Sequence, residues 1–140
     1  MNEFNACNYV LQHTQMAVKV LGQILKTIKE SELKDELKEQ YYTYKRLSDV
    51  AAYGLVKQGA RPDALNKFEE QSLRFEKKAL DFFGKDSSYL ARVLSDGALK
   101  SLEIIKKDLQ SMGDYVYDLE ISQQIINVQK KHIENLKRFI

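Results

Sequence analysis

The sequence predicts an all-α protein, an antiparallel four-helix bundle with an extra crossover helix, organised as one domain over residues 1–140. Three observations carry that expectation. One proline and six glycines leave little punctuation, which favours long helices over many short strands. The few breaks sit where helix ends are expected. The segments between them carry apolar residues three and four apart.

The first helix, residues 3–29, reads Val10, Ala17, Leu21, Ile24 and Ile28 along one face. It stops near Lys29-Glu30-Ser31, and Ser31 is placed to cap the next helix. The second helix, 32–58, reads Leu33, Leu37, Tyr44, Leu47 and Ala51. Gly59-Ala60-Arg61-Pro62 closes it, with a glycine C-cap followed by a proline suited to a helix start. The crossover helix, 63–83, reads Leu65, Phe68, Phe75, Ala79 and Phe82. Beyond Gly84-Lys85-Asp86-Ser87, the segment 87–111 reads Leu90 or Ala91, Leu94, Ala98, Leu102, Ile105 and Leu109. After Met112-Gly113-Asp114, the last segment, 115–139, is expected to bury Leu119, Ile126, Ile133, Leu136 and Ile140.

Short turns make an antiparallel hairpin of each flanking pair. A twenty-residue helix is about 30 Å long, close to the length of such a bundle. The crossover can therefore carry the chain back to the other end, leaving its two neighbours parallel. The two hairpins also read as a degenerate repeat. An offset of 81 sets Ala17 on Ala98, Leu21 on Leu102, Ile24 on Ile105 and Ile28 on Leu109. An offset of 82 sets Leu37 on Leu119, Tyr44 on Ile126 and Ala51 on Ile133.

Composition excludes several classes. Apolar residues are 44% and charged residues 30%, a globular balance. A net charge of +2 is too small for a phosphate-binding face, so no nucleic-acid partner is expected. Cys7 is the sole cysteine, which rules out an intrachain disulfide and fits a reducing compartment. The first residues lack a basic segment followed by an apolar stretch, so no secretory signal is expected. No apolar run approaches the roughly 20 residues that span a bilayer, and the expected location is the cytoplasm.

Two hairpins joined by one long crossover, with Gln129-Lys130-Lys131-His132-Ile133 on the last helix, resemble the ferritin-like superfamily over nearly the whole chain. That run is similar to the Glu-x-x-His-Ile stretch the family carries on its final helix. The resemblance implies a carboxylate-bridged metal pair. One Glu would come from each of the first and third bundle helices, and a Glu-x-x-His pair from each of the other two. Two buried metal ions need several anionic oxygens to offset their charge. Here Gln129 and His132 fall on the last helix's ligand positions, and the offset of 82 maps them to Leu47 and Val50. The remaining positions hold Thr14 and Ser95. None of the four glutamate positions is a carboxylate, and of the histidines only His132 survives. A register shift of one residue brings in Asp96 or His13, and a shift of two brings in Asp49. The resemblance thus implies the fold and not the redox activity, and no cofactor is expected. If a remnant metal site exists, its candidates are His132, Gln129 and Asp96.

Other constellations read as ordinary structure. His13 is expected to be exposed or at a boundary, because the run after it does not match a phosphotransfer histidine. Cys7 lacks a base at helical spacing and reads as a small packing residue. Tyr44 points to the core, while Tyr41 and Tyr42 cannot both be inside. The crossover carries Leu73, Leu80 and Phe83 beside its main stripe. This surplus apolar surface predicts a two-fold homodimer or a deeper five-helix core. The expected function is that of a metal-free structural or interaction protein with no catalytic residues, open to protein partners. The alternatives are a metalloprotein with an asymmetric site around His132, or a shell component of the kind found among spore coat proteins with ferritin-like bundles.

Overall fold

Residues 6–59, 86–111 and 116–140 are described by the computed structural model of the chain. Among them every regular element is helical: α1 (Ala6–Thr27), α2 (Glu32–Lys57), α3 (Ser87–Gln110), α4 (Val116–Leu136) and a closing 3-10 turn, Lys137–Phe139. The crossover helix expected over 63–83 lies outside the described residues.

The helix ends follow local chemistry. α1 stops where the Thr27 hydroxyl donates to the Ile24 carbonyl, 2.9 Å away, and Ile28 N–H takes the same acceptor. Ser31 caps α2 as expected, its Oγ accepting from Lys34 N–H at 3.1 Å. At the far end Gly59 adopts φ +74°, and its N–H donates to the Val56 carbonyl. That left-handed step is nearly free for glycine and strained for other residues. Asp86 caps α3, its Oδ1 accepting from Tyr89 N–H at 2.8 Å.

Three contacts between helix ends fix the directions. Gln58 Nε2 donates to Cys7 Sγ at 3.5 Å, so the end of α2 lies beside the start of α1. The Tyr9 hydroxyl donates to Asp108 Oδ2 at 2.8 Å, which sets the end of α3 at that same end. Asn135 Nδ2 donates to Glu36 Oε2 at 3.4 Å, so the end of α4 meets the start of α2. Accordingly α1 and α4 run one way, and α2 and α3 the other. The chain leaves α2 at one end of the bundle and enters α3 at the opposite end.

α2 buries a regular stripe of Leu33, Leu37, Gln40, Tyr44, Leu47, Ala51 and Leu55 against α1 and α4. Its outer side shows Tyr42, Tyr53 and Val56 to solvent, while Tyr41 is half-buried. α1 departs from simple amphipathicity: Ala6 to Thr14 are all buried, Asn8, Gln12 and His13 included. The stripe of α4 is rotated from the expected one. Ile121, Ile125, Gln129, His132, Ile133 and Leu136 are buried, whereas Leu119 and Ile140 are more than half exposed.

Candidate functional site

The buried stripes meet in a polar band halfway along the bundle. α4 supplies Gln129 and His132, three residues apart and therefore one above the other on the inner face. α2 supplies Gln40 and Tyr44, and α1 supplies His13. These side chains form one wall of a cavity of about 190 Å³. The opposite wall is apolar and largely small: Ala17 and Val20 from α1 face Leu94, Gly97 and Ala98 from α3, with Ser101 beside them. Among the described elements α1 packs chiefly on α2 and α4, and α3 on α4 and the closing turn, so α1 and α3 touch each other little. Gly97 belongs to the wall and is also solvent-exposed, so the cavity opens at α3.

No Asp, Glu, Lys or Arg is among the described residues that line this cavity. Burial holds the His13 imidazole at a pKa of about 4, well below its ordinary value. His132 is also lowered to about 4, by burial first and by the neighbouring Lys131 charge second. Both rings are therefore neutral at pH 7. Burial pushes the Tyr44 phenol up, so it too stays uncharged. The Tyr44 ring stands edge-on to both imidazoles, with centroids 5.0 Å from His132 and 6.4 Å from His13.

Gln129 and His13 are joined by a contact of 2.8 Å between Gln129 Nε2 and His13 Nε2. A neutral imidazole has one donor and one acceptor nitrogen. With the amide in this orientation, Gln129 donates and His13 carries its proton on Nδ1. With the amide turned about, His13 Nε2–H donates to Oε1 instead. Either way one atom of the buried Gln129 amide is left over, and Oε1 has no hydrogen-bond partner among the described residues. The same is true of His132 Nδ1. Behind this wall, Glu36 Oε2 accepts from Gln40 Nε2 at 3.1 Å and from Asn135, which ties up its carboxylate outside the cavity.

The residues singled out from the sequence divide accordingly. His132 and Gln129 share the cavity wall, but Asp96 is exposed on α3 and is not part of it. Thr14 is buried, yet its hydroxyl donates to the Val10 and Leu11 carbonyls of its own helix at 2.8 and 3.0 Å. Ser95 and Leu47 are buried and Val50 is exposed, and none of the three reaches the cavity. His13 corrects the expectation of an exposed or boundary histidine, being only 2% exposed. The sequence reading also missed Gln40 and Glu36. Gln40 had a legible signal, since it fills the step between Leu37 and Tyr44 in an otherwise apolar 3-4 pattern.

The donor set does not fit a metal pair. Among the described residues no three His, Cys, Asp or Glu side chains converge. Gln129 cannot supply a bridging anion, and Glu36 is turned toward Gln40 and Asn135. Nucleophilic chemistry is no better served, because Cys7 is buried at the bundle end with Gln58 as its neighbour. No helix among the described residues is long and apolar enough to cross a membrane. The chain matches no protein-family model, and no curated protein or solved structure is significantly similar to it.

Proposed function

We propose that the chain is a non-catalytic, metal-free bundle of ferritin-like architecture that works by binding, with the cavity between α1 and α3 receiving a small uncharged molecule. The observation that carries this reading is the absence of any charged side chain from the described lining. A charged guest or metal ion would lose its hydration there with no opposite charge to replace it. A neutral guest faces no such penalty and gains from the apolar wall. The helix directions support the ferritin-like part, because α2 ends and α3 begins at opposite ends of the bundle. The lone cysteine supports a cytoplasmic setting.

The test is a thermal melt. A small neutral aromatic such as toluene at millimolar concentration raises the melting temperature, because a ligand that binds only the folded state stabilises it. Iron(II), manganese(II) and zinc(II) leave it unchanged. Stabilisation by a metal with none by any neutral compound overturns the reading in favour of a metal site at His132.

A further inference from the structure

We infer that the cavity is a site for a small hydrocarbon guest, one six-carbon ring bearing one or two methyl groups, and that it disfavours the same ring once it carries a hydroxyl. This rests on the binding role proposed above and narrows it from any uncharged molecule to an apolar one.

The exclusion of polar guests follows from where the polar atoms of the wall lie. Gln129 and His132 both line the cavity, yet Gln129 Oε1 and His132 Nδ1 are occluded. An atom bordering a space large enough for water is reachable by water, so a guest in the cavity does not reach these two. His13 Nδ1 is closed off in the same way. Gln129 Nε2 and His13 Nε2 are engaged with each other at 2.8 Å. Gln40 Nε2 donates to Glu36 Oε2 at 3.1 Å, away from the cavity. These polar groups hold the wall together, and the surface left to a guest is chiefly carbon.

A hydroxylated guest gives up its hydrogen bonds to water on entry and finds few replacements here. A hydrocarbon has none to give up and gains by leaving water. The size follows from the volume. An apolar cavity of about 150 Å³ accommodates benzene, so about 190 Å³ admits one ring with a methyl group or two. Ala17 and Ala98 leave the room, and Val20 and Leu94 supply branched carbon beside them. Gly97 stands at the opening, and a Cβ there would meet no described atom within 4 Å. Glycine inside a helix is unfavourable relative to alanine. No described neighbour requires it at this position, whereas an open mouth for a guest does.

Calorimetric titration of the full chain at pH 7 separates the outcomes with toluene, p-xylene, p-cresol and benzoate. The second and third differ only in a methyl group against a hydroxyl of nearly equal size. The better of the two hydrocarbons is expected to bind about fivefold or more tighter than p-cresol, and benzoate not at all. p-Cresol binding as well as or better than both hydrocarbons overturns the apolar assignment and leaves the neutral-guest role standing. Tightest binding by benzoate overturns both through the charge argument. No binding by any of the four near its solubility limit also overturns both. Methyl-resolved NMR of the full chain then locates the guest. Toluene is expected to shift the methyl signals of Ala17, Val20, Leu94 and Ala98 by its ring current. Shifts confined to the exposed Leu99, Ile104 and Leu119 place it on the surface and overturn the inference. Ala98→Phe fills the cavity from α3 and is expected to abolish hydrocarbon binding. The variant is first checked for a native helical spectrum and a cooperative melt. Undiminished binding in the folded variant overturns the assignment as well.

Discussion

His13 and His132 each carry a cost that other residues hold in place. Their pKa values fall from 6.5 to about 4 because burial disfavours the protonated ring. The unfolded chain therefore takes up protons first as the pH drops. Stability is complete above the unfolded pKa and is lost as the pH falls from about 6.5 towards 4. Over that whole interval each ring withdraws on the order of 3 kcal/mol. The upper part of the window, between about pH 6.5 and 5.5, lies above the carboxylate range and so isolates the histidines. Urea unfolding at pH 7.5 and 5.5 is expected to show a clear drop in the midpoint. His132→Gln should make that drop smaller. A midpoint that holds steady across this range in the wild-type chain contradicts the neutral, buried imidazoles.

At the scale of elements, the caps and breaks were the most legible features. Ser31 and Asp86 lie in two of the four breaks identified from residue type, and each accepts from the N–H three residues on. Ser31→Ala removes that acceptor and is expected to lower stability by about 1 kcal/mol, read as a lower melting temperature with unchanged helix content at low temperature. A loss below a few tenths of a kcal/mol would mean that water serves Lys34 N–H equally well. The stripe of α2 was legible because Glu32, Asp35, Lys38, Glu39, Lys45 and Arg46 mark the outer side of its first half. That of α4 was not, because Leu119, Ile121, Ile125, Ile126 and Ile133 permit more than one phase. The phase that packs also contains Gln129 and His132, which an apolar count passes over. His13 was misplaced for a related reason. The first nine residues of α1 are buried all round, so no polar face remains to set a phase.

For the whole molecule, the all-helical class and the order of four helices were read from punctuation and spacing alone. The cavity was not, because it depends on how far apart α1 and α3 stand, which no single helix encodes. The repeat set Ala17 and Ala98 at equivalent positions without placing them together, and both line the cavity. The proposed homodimer rests on the apolar sequence of 63–83, outside the described residues. Sedimentation at micromolar concentration is expected to give about twice the 16.3 kDa chain mass. Phe83→Glu is expected to return it to a folded monomer, and a wild-type chain that stays monomeric when concentrated removes the dimer.

We propose that the bundle holds no metal, the described residues lining its cavity being uncharged. Elemental analysis tests it most directly, on protein produced in iron- and zinc-supplemented medium and purified without chelators. Iron, manganese and zinc are each expected far below one equivalent per chain, and unchanged in His132→Ala. About two equivalents of metal per chain, lost in His132→Ala, would contradict the account.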